Sequence, residues 1–493
     1  MLTPHQCHGC ISRRRCLQII STAAAGLTFS GELCTAFAKP RKPAPDFIDP
    51  AKLRPNPQTR LDAAILQMPR PYWLGWPGTT YDLDKAQKEY RTQLARSCQR
   101  MGIELHDETK PVQDDPGLTA LLNSVKARKP DGLIVILQHM NCWGWADRLS
   151  KEAGVPLIVF SPIGTSFTGH VAGISRRPGV HVVSTLEWPA VEDGLRMIRA
   201  KRLFEESRIL WIHSDKRSET VLDRLGTKVR AIPRKTFNEL FDQLPVTEEV
   251  RDIASSFRKG AKRVVEPNWQ DSLNSARAYT AAKRLLADEQ ANALSMDCLG
   301  MVGAKLVPTP PCGAWTILQD QGITAGCEAD LHGATSMMLT SYLLERPGYM
   351  NDPVAETAKN LLIAAHCTSG TRLAGFDKKP TPYILRNHSE SGLGVSVQVL
   401  WPVGAPVTLV RFSNPNELIL DTGTVVSNVD TPPAGGCRTS VELKMDNVED
   451  CRDVLGFHQV VTLGNHRRTV EGFCQLYGIN VVHSPEHTTH GKE

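Results

Sequence analysis

Gly132-Leu133-Ile134-Val135-Ile136-Leu137 is a run of six residues with no polar side chain. A strand with one wet face alternates apolar and polar residues, whereas a strand covered on both faces does not need to. The run therefore predicts a central strand of a parallel sheet. Val155-Pro-Leu-Ile-Val-Phe160 repeats the pattern, and Ala146–Ala153 between them has helical spacing. Strand, helix, strand is the crossover unit of a doubly wound layer.

Working outward, the same alternation continues in both directions. Towards the N-terminus, Leu118–Arg128 and Asp82–Met101 read as helices, the second with Tyr90, Leu94 and Cys98 spaced by four. Ile103–His106 and Ala63–Met68 read as strands. Towards the C-terminus, Trp188–Phe204 is a predicted helix, Arg208–His213 a strand, Val221–Leu225 a short helix and Val229–Ile232 a strand. Residues 234–262 are helical and charged, Ala276–Ala291 is a helix, and Ala293–Cys298 and Ile323–Cys327 are strands. From about residue 359 the texture changes to short segments broken by Gly, Pro and Asn: Asn360–His366, Ser396–Leu400, Pro406–Phe412, Glu417–Thr422, Thr439–Lys444 and His458–Leu463. The expected fold is α/β: two doubly wound α/β domains (61–175 and 176–358) followed by a β-rich C-terminal domain (359–484), with a tail from 485 to 493.

At 493 residues the chain is too long for one ordinary core. Apolar content of 41% and charged content of 22% are those of a water-soluble globular protein. The net charge of +5, or +3 without residues 1–38, leaves no electrostatic footprint for nucleic acid. No run after the N-terminal region reaches transmembrane length, so stable membrane insertion is not expected. Of the 13 cysteines, Cys298, Cys327 and Cys367 lie inside apolar runs and read as buried thiols. Cys7-His-Gly-Cys10 looks like half of a metal knuckle with no second half.

The N-terminus reads as an address. Ser12-Arg13-Arg14-Arg15-Cys16-Leu17 precedes a mild apolar run from Ile19 to Phe29, and Ala36-Phe37-Ala38 supplies small residues at a cleavage site. The order matches a twin-arginine export signal over residues 1–38, hence a periplasmic or otherwise exported protein; a basic tail on a cytoplasmic one is the alternative. Residues 39–60 carry six prolines and are expected to run as an extended leader.

Ligands of doubly wound sheets sit beyond the carboxyl ends of the strands. Two loops qualify on that ground, Gln138–Trp143 and Ser161–His170, although neither holds a phosphate-binding fingerprint. More chemistry stands in Cys327-Glu328-Ala329-Asp330, with Asp352 in Tyr349-Met-Asn-Asp-Pro353, then His366 and His458. Two carboxylates with one or two imidazoles make a divalent-metal site of hard-ligand character. Each residue also has a plainer role. Asp330 and Glu328 suit helix caps, Asp352-Pro353 suits a turn, and His366 on an apolar strand suits a core. A helix over Leu331–Leu344 spans about 21 Å. The eight residues from Leu344 to Asp352 reach at most about 28 Å, so they must run nearly extended for Glu328 and Asp352 to meet.

The segment from Pro311-Cys312 to Asp352 resembles the L-fucose isomerase and L-arabinose isomerase-like superfamily. In that family a Glu-x-Asp turn and a later Asp, at the spacing seen here, carry the acidic metal ligands. A further ligand is a His in a short strand ending Gly-His, which His458-Gln-Val-Val-Thr-Leu-Gly-Asn-His466 matches with one extra residue. The likeness covers about 290–484. It implies Mn²⁺, or a similar divalent cation, held by Glu328, Asp352 and His458, with His366 near a position where arabinose isomerases supply another His. It also implies an aldose–ketose isomerase in which Glu328 and Asp352 act as general acid and base across an ene-diol. His366, His388 and Arg438 are candidate substrate contacts, with Glu390 beside them. The partner implied is a small sugar, and the assembly a homo-oligomer. A metal-dependent sugar epimerase or lyase would use the same ligands. A non-catalytic exported sugar-binding protein is the other alternative, which the β-rich third domain and the Glu/Asp/His triple argue against.

Overall fold

The computed structural model describes residues 47–71, 81–430 and 436–485. The export signal, the Cys7/Cys10 pair and most of the C-terminal tail lie outside these residues. From Ile48 onward the chain is one compact unit.

The first sheet holds β1 (Thr59–Leu66), β2 (Ile103–Asp107), β3 (Gly132–Leu137), β4 (Leu157–Pro162) and β5 (Val180–Thr185). Its order is β2-β1-β3-β4-β5, and every pairing is parallel. Every residue of β3 and β4 is buried, as their unbroken apolar runs require when helices cover both faces. The Pro-rich stretch is not wholly extended. Pro50–Leu53 forms a 3₁₀ turn capped by Asp49, Leu53 is buried, and the Leu53 carbonyl accepts from Asn292 Nδ2 at 2.8 Å.

The second sheet contains β6 (Arg208–Ser214), β7 (Ser218–Val221) and β8 (Lys228–Pro233). After β9 (Arg263–Val264), which pairs elsewhere, it adds β10 (Ala293–Met296) and β11 (Thr324–Gly326). The order is β11-β10-β6-β8-β7, parallel except for the last pair. The short helix expected over Val221–Leu225 is absent. Val221 ends β7, and the chain then turns through Arg224 and Gly226, both left-handed, to bring β8 back antiparallel. The β-branched Thr220 and Val221 and the Gly explain the preference. The Ala293–Cys298 strand is also shorter than expected, because Asp297 caps a new short helix at Cys298.

The remaining strands are β12 (Tyr349–Glu356), β13 (Leu361–His366), β14 (Tyr383–Arg386), β15 (Ser396–Val399), β16 (Pro406–Asn414), β17 (Glu417–Asn428), β18 (Thr439–Met445), β19 (Gln459–Leu463) and β20 (Asn480–Val482). Six of them close on themselves. β16, β19, β12, β13, β18 and β17 follow one another, and β17 pairs back to β16, every pairing antiparallel. The result is an antiparallel β-barrel, which leaves no open edge among those six strands. β20 lies parallel to β17, and the β14–β15 hairpin takes β9 alongside it. One side of the barrel strands packs Tyr349, Leu362, Leu409, Leu443 and Val461 together.

The helix Leu331–Leu343 joins the parallel sheets to the barrel. All its residues from Gly333 on are buried, the expectation for a helix apolar on every side. Val410 and Phe412 of β16 and Val460 of β19 share its core, and the Phe412 amide donates to Ser336 Oγ at 2.8 Å. After this helix the chain bends through Leu344, Glu345 and Arg346, with Glu345 left-handed, and Gly348 then packs closely just before β12. A Cβ on Gly348 would meet Val460 and Thr340 Oγ1, the latter at 2.5 Å, so only Gly allows the approach. The chain then runs extended as β12, and Asp352 returns towards Glu328. No helix of the described residues is long and apolar enough to cross a membrane.

Candidate metal centre

Glu328 stands just beyond the carboxyl end of β11. It and Ala329 both adopt left-handed backbone conformations, with φ of 56° and 52°. For residues other than Gly each such conformation costs on the order of 1–3 kcal/mol and persists only where neighbours enforce it. The neighbours are present. The Ala329 amide donates to the Met296 carbonyl at 2.9 Å, the Ala329 carbonyl accepts from Trp211 Nε1 at 2.6 Å, and the Asp330 amide donates to the Cys327 carbonyl at 3.1 Å. His458, immediately before β19, is a third strained residue, with φ of 54°.

Asp330 does cap its helix, accepting from the Gly333 amide through Oδ1 at 2.8 Å. Its other oxygen is occupied as well. Oδ2 lies 2.8 Å from His458 Nδ1 and also accepts from Arg411. With Nδ1 held in this way, Nε2 of His458 faces Asp352 Oδ1 at 3.0 Å and Glu328 Oε2 at 3.4 Å. The barrel register brings these groups together. Asn351 pairs with Gln459 across β12 and β19, and Asn351 Nδ2 donates to the Gln459 carbonyl at 2.7 Å. Asp352 pairs with Ala365 across β12 and β13, one residue from His366. Pro353 follows where β12 no longer pairs with β19, so its missing N–H costs the barrel nothing on that side.

One ligand atom from each of Glu328, Asp352, His366 and His458 lies within 4.8 Å of the others. His366 Nε2 is 3.7 Å from Glu328 Oε1. Both histidines are buried, while the side chains of Glu328 and Asp352 are 32% and 30% exposed. Both ring nitrogens of His366 are buried with no hydrogen-bond partner, and Asp352 Oδ1 and His458 Nε2, 3.0 Å apart, are buried without a well-aligned hydrogen bond. Leaving such atoms unmet costs about 1–3 kcal/mol apiece. A convergent set of unmet oxygens and nitrogens fits a divalent cation.

The electrostatics point the same way. The imidazoles of His366 and His458 hold the Glu328 carboxyl far below the usual carboxylate range. Burial disfavours a charged His458, but Asp330, Asp352 and Glu328 outweigh it and raise the imidazole to about 11. For His366 burial again opposes charge, and Glu328 and Asp352 win, so it too is raised. Burial likewise works against an ionised Asp330, and His458 with Arg411 more than reverses it. The cluster thus favours added positive charge at its centre, which protons supply when a cation does not.

Glu328, Asp352 and His366 of the cluster line a narrow cleft. His388 and Glu390 line it, His388 being held through Nδ1 by Ser391 Oγ at 3.0 Å. Arg438 is not on the cleft wall: it is fully buried, and its Nε donates to the Asn387 carbonyl at 2.8 Å. It braces the loop that presents His388. The loops Gln138–Trp143 and Ser161–His170 belong to the first sheet and do not line this cleft, although Ser166 and Phe167 border a separate cavity. Sequence reasoning set Asp330 aside as a cap. The Glu-x-Asp spacing was the available signal, because a capping carboxylate uses one oxygen and leaves the other for a second partner.

No family model matches the chain. Over 71 residues it is 37% identical to the sulfoquinovose isomerase of Clostridium sp. (strain MSTE9), a stretch that makes up 14% of this chain and 16% of that protein. The solved structure of an ABC transporter solute-binding protein from Burkholderia multivorans aligns with 55% of this chain and 98% of its own, at 9% identity and a TM-score of 0.18.

Proposed function

We propose that the chain is a metal-dependent sugar isomerase that interconverts an aldose and a ketose, of the fucose/arabinose isomerase type. The observation that carries the reading is the convergence of Glu328, Asp352, His366 and His458 on one point at the end of a cleft. The motif spacing and the short stretch shared with a sugar isomerase support it.

The hard oxygen and imidazole donors suit Mn²⁺ or a similar ion, which when bound would act as a Lewis acid towards neighbouring sugar oxygens. The two histidines are buried and the two carboxylates are partly exposed, so the carboxylates are the members a sugar can reach. Glu328 and Asp352 therefore take the acid and base roles: one removes the proton from the carbon beside the carbonyl, and the other exchanges a proton with the adjacent oxygens. Asp330 keeps His458 oriented without touching the substrate. His388 and Glu390, on the facing wall, are placed to bind sugar hydroxyls.

The test is to incubate the purified chain with Mn²⁺ and a panel of aldoses and ketoses and to analyse the products. Formation of the paired ketose or aldose, lost in Glu328→Gln together with Mn²⁺ binding, is the expected result. Epimers or cleavage products would replace the isomerase with an epimerase or lyase. Sugar binding without Mn²⁺ and without turnover would replace it with a binding protein.

A further inference from the structure

Nine cysteines lie among the described residues, all unpaired. Five of them, Cys298, Cys312, Cys327, Cys367 and Cys437, line the cleft that holds the metal cluster. A buried thiol is usually a small apolar filler. These thiols are arranged more specifically than fillers. Cys367 and Cys437 line the cleft from the ends of neighbouring strands β13 and β18, and Cys298 and Cys327 line it from beyond the ends of β10 and β11.

The first pair has the geometry for a bond. Cys367 directly follows β13, and Cys437 lies two residues before β18. The β13–β18 register matches His366 to Thr439, which sets Cys367 against Arg438 and leaves Cys437 one residue further along the neighbouring chain. Facing antiparallel residues lie about 4.5–5.5 Å apart, so a neighbour one residue off lies about 6 Å away, within the roughly 4.4–6.8 Å between Cα atoms that a disulfide accepts. The pair also has access, since Cys437 is partly exposed and both thiols face the cleft. Cys367 Sγ is steadied by Ser389 Oγ at 3.5 Å.

We propose that Cys367 and Cys437 form a redox-active dithiol on the wall of the cleft, a modification site that closes to an intramolecular disulfide. The oxidant is a peroxide. One of the two thiols attacks one peroxide oxygen, giving a sulfenic acid and one water. The other then attacks that sulfur, forming the S–S bond and releasing a second water. The two thiols together lose two electrons and two protons, and one hydrogen peroxide becomes two waters. Bond formation draws the sulfurs from contact to about 2.0 Å, and Cys367 passes the shift to His366, its neighbour in the chain. The disulfide therefore weakens metal binding. That consequence rests on the metal-centre reading; the dithiol itself does not.

The experiment treats the full-length chain, metal-free and Mn²⁺-loaded, with hydrogen peroxide. It counts free thiols, maps linked peptides by mass spectrometry and measures Mn²⁺ affinity. The expected result is loss of two thiols, a crosslink between the peptides holding Cys367 and Cys437, an affinity for Mn²⁺ about tenfold lower, and reversal of all three by dithiothreitol. Cys437→Ser should bind Mn²⁺ as the parent does and be indifferent to peroxide. An unchanged thiol count, or a crosslink between other cysteines, overturns the dithiol. An equal loss of affinity in peroxide-treated Cys437→Ser overturns its link to the metal. If the parent binds no Mn²⁺, the thiol count and peptide map still decide the dithiol.

Discussion

Nδ1 of His458 lies 2.8 Å from Oδ2 of Asp330, while Oδ1 of the same carboxylate caps the helix Leu331–Leu343. One side chain thus fixes the start of a buried helix and the orientation of an imidazole in the candidate metal cluster. Carboxylates behind ligating histidines typically change metal affinity 10–100-fold when removed. Asp330→Asn keeps a capping oxygen but loses the charge facing His458 and Arg411. Mn²⁺ affinity measured by calorimetry should fall by about that factor. An unchanged affinity would show that His458 is oriented by its backbone alone.

Loading with metal should release protons. In the metal-free protein His458 is raised to about 11, so it is charged at pH 7. Because the folded value lies above the ordinary one of about 6.5, this group stabilises the metal-free fold fully below that value, and the contribution is lost as pH rises through about 11. A cation needs the neutral ring, so affinity for Mn²⁺ should rise with pH below 11, by about tenfold per unit for each proton displaced. A pH indicator in weakly buffered solution at pH 7.5 reads the released protons directly. Loading with no proton release would contradict the charged imidazole.

His366 should prove to be a ligand rather than a core histidine. Both its ring nitrogens are buried without partners, which a purely structural His would not tolerate. His366→Phe removes the unmet atoms with little change in volume. It should lower Mn²⁺ affinity at least tenfold while leaving the metal-free protein as stable as the parent, or more so. Lost stability with intact Mn²⁺ binding would reverse the assignment.

Gly348→Ala should destabilise the fold. The new methyl would strike Val460 of β19 and Thr340 of the buried helix, neither of which has room to yield. Overpacking of this kind costs roughly 1–3 kcal/mol, visible as a lower urea midpoint. Because Gly348 directly precedes β12, which carries Asp352, Mn²⁺ affinity should drop as well.

Acid should weaken the protein through His181. Its ring sits between two close helix glycines, Gly194 and Gly472. Burial lowers it to about 4, with the charge of Asp193 only partly opposing. The folded value lies below the ordinary one of about 6.5, so its contribution is complete above pH 6.5 and is lost as pH falls towards 4. His181→Asn should flatten the stability profile between those values. A parallel profile in the variant would assign the acid sensitivity to another group.

Much of this was legible in the residues. β3 and β4 announced themselves because strands covered on both faces need no polar alternation. Glu328, Asp352, His366 and His458 stood out by residue type, and the family resemblance singled out the first two with His458. The chain returns to Asp352 as expected, but it bends through 344–346 before it runs extended in β12. Closure of the barrel was not legible, since pairing β17 back to β16 and β19 to β12 is a long-range choice that no local pattern encodes. The same holds for the cysteines, which lie far apart in sequence and meet only because strands end beside one another. His366 looked like a core residue because it is one in burial, and only its unmet nitrogens set it apart from an ordinary core histidine.

Glu328 leaves the end of a parallel-sheet strand, whereas Asp352, His366 and His458 belong to the barrel. An ion held by all four would fasten residue 328 to residue 458 as a removable cross-link between the two architectures. Such a link gains its strength from the disorder it denies the unfolded chain, so a chelator would act on this protein as a reductant acts on a disulfide-bonded one, and neither architecture expressed alone would retain the centre.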